Sequence, residues 1–158
     1  MIRDARPDEA GLLSDLAVRS KAHWGYDDAF MEACRAELTF TPEQVVAWRM
    51  RVLERDGRVV GMAALAGEPP VGEVEDCFVD PDAIGTGAGR LLLDDLLARA
   101  AALGFERLEV TADPNAVGFY ETVGFVGCGE AASGSIPGRM LPRLALELGH
   151  AAAESAVE

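Results

Sequence analysis

Between the apolar stretch ending at Val79 and the run Leu91, Leu92, Leu93, the chain sets Gly85, Gly87 and Gly89 at alternate positions and follows them with Arg90. Such a turn is suited to holding an anion. Glycine tolerates positive φ and lets the main chain approach a ligand closely, so successive N–H groups can converge on a phosphate at the positive end of a helix. Arg90 adds a formal charge of the same sign. The spacing departs from the G-x-G-x-x-G of dinucleotide sites and no Gly-Lys-Ser/Thr closes the turn, so a dinucleotide or a nucleoside triphosphate is disfavoured. Cys77 has no His or Asp at a triad spacing and reads as a buried strand cysteine rather than a nucleophile. His23 and His150 are the only histidines, neither lies in a recognisable ligand spacing, and no metal is expected.

These residues need a strand before the turn and a helix after it. Residues 72–79 read as that strand, and Leu91, Leu92, Leu96, Ala100 and Leu103 as the apolar stripe of the helix, which Gly104 caps. Upstream, a short strand over 2–6 precedes a helix opened by Pro7, Asp8 and Glu9, and a second helix over 27–38 carries Phe30, Met31 and Cys34. His23, Trp24, Gly25 and Tyr26 form an aromatic, polar corner between them, which closes over the helix ends or lines an acceptor pocket. Strand-like runs over 48–54 and 58–65 flank Asp56 and Gly57, a strong hairpin signal. Further strands are expected over 107–111, 124–128 and 144–148, a short helix over 115–122, and a loop rich in Gly, Ser and Pro over 131–142.

At 158 residues with 49% hydrophobic side chains, the chain reads as one α/β (α+β) domain over 1–149 with a frayed tail over 150–158. A net charge of −13 argues against nucleic acid and against an anionic membrane surface as partners. A cationic partner fits the charge, although a surplus of carboxylates is also an ordinary route to solubility. Cys34, Cys77 and Cys128 are odd in number with no C-x-x-C pair, and no apolar signal segment follows Met1, so the expected compartment is the reducing cytoplasm.

The order of elements and two separated motifs resemble the GNAT superfamily of acetyl-CoA-dependent N-acetyltransferases over nearly the whole chain. The family's acetyl-CoA motif, Q/R-x-x-G-x-G/A, falls on Ile84, Gly85, Thr86, Gly87, Ala88 and Gly89, with Ile84 in place of the usual Gln or Arg. Its A-x-x-F-Y-E-x-x-G-F segment falls on the residues from Ala116 to Phe125, and Asp113 stands where the family carries Asn seven residues before the Tyr. The resemblance implies a mixed, mostly antiparallel central sheet of about six to seven strands flanked by about four helices. It implies acetyl-CoA as cosubstrate, held by Gly85, Thr86, Gly87, Ala88, Gly89 and Arg90, by Cys77, Phe78 and Val79 where two strands splay apart, and by Asp113 and Asn115. The acceptor is expected to be a primary amine on a small molecule or peptide, the enzyme a monomer or homodimer.

Direct transfer needs a deprotonated amine, a polarised carbonyl and a protonated leaving thiol. Tyr120 aligns with the tyrosine that many relatives use to protonate the thiolate, and a phenol of pKa about 10 can donate to a thiolate of pKa about 8.5 when held close. Glu73 and Glu75 are the expected bases, since strand alternation puts both on the face shared by Cys77 and Val79. Asp76 falls on the opposite face unless a bulge changes the parity. His23, Trp24 and Tyr26, with Asp27, Asp28, Ser133, Ser135 and Arg139, are the expected acceptor contacts. Two other readings remain open at this point: a noncatalytic acyl-CoA-binding sensor of the same fold, and an unrelated α/β binder of phosphate esters.

Overall fold

Asp56 and Gly57, at φ of 54° and 75°, turn β2 (Arg51–Arg55) back into β3 (Arg58–Ala66), as their adjacency in the sequence predicts. In β3 every residue after Arg58 is buried, because both faces of this strand are covered. Around it the computed structural model, which describes residues 1–148, builds a seven-stranded sheet in the order β1-β2-β3-β4-β5-β7-β6. The other strands are β1 (Ile2–Asp4), β4 (Val71–Val79), β5 (Arg107–Thr111), β6 (Val126–Ala132) and β7 (Met140–Glu147). All neighbours are antiparallel except β4 and β5. The tail expected over 150–158 lies outside the described residues.

Helices cover both faces. On one, α1 (Ala10–Ala22), α2 (Asp28–Cys34) and α3 (Pro42–Ala47) bury Leu13, Leu16, Cys34 and Val45 against Val52, Met62 and Ala64. On the other, α4 (Ala88–Leu103) and α5 (Val117–Thr122) bury Leu92, Leu93, Leu96 and Tyr120 against Val60, Val74, Leu108 and Val110. None of the described helices is long and apolar enough to cross a membrane.

Three elements differ from the expectation. The second helix stops at Cys34 rather than Leu38, and a separate helix, α3, begins after Thr41, whose hydroxyl caps Gln44 N–H at 3.1 Å while the Gln44 side chain caps Thr41 N–H at 3.0 Å. Strand β6 runs on to Ala132 and β7 begins at Met140 rather than Leu144, so the late loop shrinks to 133–139; β6 is an edge strand, mostly exposed, and carries no apolar alternation to reveal it. The third difference concerns the site directly.

Strand β4 carries a bulge at Glu75: Asp76 pairs with Ala64, yet Val74 pairs with Leu65. One extra residue reverses the alternation. Val74, Cys77 and Val79 therefore all face the α4 and α5 core, while Phe78 packs on the α1 side. Glu73 does not share the face of Cys77, as the unbroken alternation implies; Asp76 falls with Phe78 on the α1 side, one residue from Cys77.

Candidate active site

The parallel pair β4 and β5 is bonded over four residues only, from Val71 opposite Arg107 to Val74 opposite Val110. Past the bulge the two strands part. On its other edge β4 stays paired to β3, where Asp80 N–H donates to Val60 C=O at 2.8 Å. Antiparallel pairs alternate between bonded and non-bonded, so Phe78 and Asp76 spend their backbone groups on β3, and the N–H and C=O of Cys77 and Val79 point into the gap. The expected contact from the Phe78 backbone is thereby corrected, although Phe78 is among the residues that line both flanking clefts.

The first cleft, about 350 Å³, runs from this gap to the glycine turn. Asp80 accepts from Asp82 N–H at 3.1 Å and from Arg19 at 3.0 Å, and despite burial these contacts hold its carboxyl below the usual range. That fixes the short 3₁₀ turn Pro81–Ala83 ahead of the glycines. Gly85 and Gly87 sit at φ of 81° and 84°, with no heavy atom within 4 Å of where a Cβ would stand. The glycines are needed for conformation and leave open space above the start of α4. Gly89 is different: a Cβ there would meet the Phe119 ring at 3.2 Å. Arg55 donates to the Thr86 hydroxyl at 2.6 Å, pinning the turn through a side chain expected to face the cofactor. Arg90 lines the cleft and pairs with Asp94 at 3.0 Å on the exposed helix surface.

The second cleft, about 490 Å³, opens on the other side of the same strand end and shares Lys21, Cys77, Phe78, Asp113 and Ala116 with the first. Tyr120 lies in its wall, buried, edge-on to Phe119 and Phe125 at 5.2 and 5.4 Å, and its hydroxyl bonds to no other described residue. Burial, then the Cys77 sulfur and the Asp76 carboxylate, push its pKa well above 10, so the phenol keeps its proton at neutral pH. Asp76, half-buried, is raised well above the usual carboxylate range by burial and by Glu75 and Glu37, against the pull of Lys21. Glu75, on the bulge, is raised by burial and by Glu73, with Arg143 opposing. The Cys77 thiol is pushed up to about 12 by burial and by Asp76, which leaves it a neutral thiol.

Glu73 is occupied. Arg143 grips both its oxygens at 3.0 and 3.2 Å and also bonds Glu109 at 2.7 Å and the Thr111 hydroxyl at 2.6 Å. The corner residues are tied up as well. Tyr26 stacks on Phe30 at 4.0 Å, donates to Asp113 at 2.7 Å and accepts from Asn115 and Arg139, each at 3.1 Å. Asp113 also takes Lys21 at 2.9 Å, and against its burial Lys21, Asn115 N–H and Tyr26 lower its pKa to about 2. This knot joins the end of α1, the corner, the turn before α5 and the late loop beneath both clefts.

The expected acceptor set is thus largely redistributed. Trp24 lines the first cleft; His23, exposed and edge-on to Trp24 at 5.2 Å, lines neither cleft; and the Tyr26 hydroxyl is committed to the knot. Asp27 caps α2 by accepting from Phe30 N–H at 2.8 Å, Asp28 sits in that helix's first turn, and Ser133 holds a turn by accepting from Ser135 and Ile136 N–H. In their place the second cleft takes Glu37, Gln44 and Trp48 from the segments around α3. The Thr-Pro-x-Gln cap of α3 was the available signal for that segment. Among the described residues no group of three or more His, Cys, Asp or Glu is placed to hold a metal ion.

A family model described as the acetyltransferase (GNAT) domain matches residues 15–134. The peptidyl-lysine N-acetyltransferase YjaB of Salmonella typhimurium is 33% identical over 129 residues, covering 78% of this chain and 81% of that protein. Other curated N-acetyltransferases match over shorter stretches, in which the chain spans from 14% to 53% of the relative's length. Among solved structures, a GCN5-related N-acetyltransferase from Rhodopseudomonas palustris superposes with a TM-score of 0.77 at 25% identity, over 94% of this chain and 95% of that one. The PaiA N-acetyltransferase from Thermoplasma acidophilum, solved with coenzyme A, shares the fold at the same TM-score of 0.77 and 17% identity, over 94% and 98%. With its splayed strands, glycine turn and matching domain model, the chain belongs to the GNAT acetyltransferase family.

Proposed function

We propose that this chain transfers an acetyl group from acetyl-CoA to a primary amine by direct attack in a ternary complex. The observation that carries this reading is the meeting of two clefts at Cys77 and Phe78, where β4 has left β5. One cleft suits the cofactor: an open glycine turn at a helix N-terminus for the pyrophosphate, then the backbone groups of Cys77 and Val79 for the extended arm and acetyl carbonyl. The thioester supplies an activated acyl group, so that a C–N bond forms as the C–S bond breaks.

The protein's own groups then have separable roles. Asp76 takes a proton from the arriving ammonium, directly or through one water, and releases the free amine. Tyr120 presents a neutral phenol to the departing sulfur and regains its proton from the acylated nitrogen, so one proton per turnover leaves by way of Asp76. The knot of Tyr26, Asp113, Lys21 and Arg139 holds the turn before α5, and with it the Tyr120 helix, in register. Three free cysteines, Cys34, Cys77 and Cys128, fit a reducing cytoplasmic setting for the enzyme.

Thiol release from acetyl-CoA in the presence of a panel of primary amines, alongside calorimetric binding of CoA, tests the assignment. Tight CoA binding with no amine-dependent thiol release would point to the sensor reading instead. Two variants probe the halves. Gly87→Val places a β-branched residue at φ of 84°, where strain is about 1–3 kcal/mol, and turns the N–H groups at the head of α4 away from the phosphates. CoA affinity is expected to fall about tenfold or more, while the far-UV spectrum stays unchanged. Glu73→Gln removes one partner of the Arg143 ion pair and should cost about 1 kcal/mol of stability by denaturant titration. Its pH–rate profile should remain that of the wild type, because the carboxylate is already engaged.

A further inference from the structure

The two halves of the site differ in sign. The cofactor cleft is lined by two cations, Lys21 and Arg90, against one carboxylate, Asp113. The second cleft keeps Lys21 and Asp113, mutually paired at 2.9 Å, and adds Glu37, Glu75 and Asp76. None of these three is in an ion pair with another described residue, and the nearby arginines are committed elsewhere: Arg139 to Asp113 and Tyr26, Arg143 to Glu73 and Glu109. Unpaired carboxylates gathered in one cleft repel each other and lower the cost of bringing in positive charge.

The three stand at different depths. Asp76 is half-buried next to Cys77, at the end where the clefts meet, whereas Glu75 on the bulge and Glu37 on the turn after α2 are exposed. Glu37 leans over Gly134 of the late loop so closely that a Cβ at Gly134 would collide with its carboxylate. The lining of the same cleft also includes Cys34, Leu38, Trp48 and Leu141, side chains that suit methylene groups.

Resting on the acetyltransfer reading above, we infer that the acceptor is a dication, an aliphatic chain with two amino groups. One nitrogen is acetylated beside Asp76, and the other stays protonated against Glu37 and Glu75. Acceptors carrying a phosphate or a free carboxylate meet the wrong sign. The two nitrogens are not equivalent once bound. The inner one loses its proton to become the nucleophile, and the outer one never reacts and only fixes the chain's position.

The test is kcat/KM by thiol release for α,ω-diaminoalkanes, n-alkylamines and ω-amino carboxylates of matched length. Diamines are expected to exceed alkylamines by about tenfold or more, with amino carboxylates lowest. The diamine preference should shrink as salt rises, because the outer contact is exposed. Glu37→Gln and, separately, Gly134→Ala, which displaces the same carboxylate without removing its charge, should bring the diamine-to-alkylamine ratio down toward the statistical value for two equivalent ends. A peptide with two adjacent lysines, compared with one whose neighbour is alanine, distinguishes a peptide-borne dication from a free diamine. Equal rates per amino group, or a ratio unmoved in both variants, overturn the dication while leaving acetyltransfer standing. Tight CoA binding without thiol release from any of these amines overturns both.

Discussion

Tyr120→Phe is expected to lower kcat by about a hundredfold or more while CoA affinity and the melting temperature stay close to wild type. The asymmetry follows from how the side chain is placed. Its ring fills a buried position between Phe119 and Phe125, and phenylalanine keeps those contacts. The hydroxyl bonds to no described residue, so its removal leaves no orphaned partner in the core and costs little in folding. What is lost is a neutral proton donor in the wall of the second cleft, which Cys77 also lines and where the proposed mechanism releases the thiolate. Without it the sulfur departs as a bare thiolate or draws a proton from water. Single-turnover rates at saturating acceptor, set beside calorimetric CoA binding, separate the two effects; a wild-type kcat in the Phe variant removes Tyr120 from the chemistry.

Sequence reasoning reaches far where local chemistry decides the structure. The glycine turn and the hairpin at Asp56 and Gly57 are encoded by local constraints that only a few residue types satisfy, and each stands where the sequence places it; the α4 stripe does so only in part, since Leu92, Leu96 and Ala100 are buried with Leu93 beside them while Leu91 and Leu103 are exposed. Strand β5 was legible to the residue, since Arg107 to Thr111 alternates cleanly between core and surface. The second cleft was not. Its lining depends on a single extra residue at Glu75 that no periodicity announces, because a bulge breaks the two-residue alternation a strand is read by and moves every residue beyond it to the other face. Aromatic residues at the His23 to Tyr26 corner suggest a pocket, yet Tyr26 spends its hydroxyl on Asp113 across 87 positions of sequence, a partnership visible only in three dimensions. Arg143 claims Glu73 in the same way, across 70 positions. Long-range ion pairs decide which carboxylates are free, and those left unpaired give the cleft its negative charge.

That sorting makes Asp76→Asn the sharpest test of the base, with opposite effects on turnover and on stability. At pH 7, kcat/KM should fall about a hundredfold, and the loss should narrow as pH rises toward the amine's own pKa near 10, where free nucleophile is abundant without help. In the wild type the acid limb of the profile reports Asp76 losing its proton. Burial raises that carboxyl, as do Glu75 and Glu37, with Lys21 opposing and the neutral Cys77 and Tyr120 beside it, so the limb should lie above the ordinary carboxylate range. Stability responds with the other sign. A carboxyl whose pKa is higher folded than unfolded binds more protons in the native state, and stability declines as pH climbs from about 4 through the raised value. The wild type therefore loses stability as pH rises above about 4, a loss that the non-titrating asparagine escapes. Asp76→Asn should melt higher than wild type at pH 7 to 8, and the difference should vanish below about pH 4, where both side chains are neutral. Less activity together with more stability is a pairing that a merely structural carboxylate does not produce. If the variant keeps the wild-type acid limb, the proton leaves by another route, and the exposed Glu75 is the next group to replace.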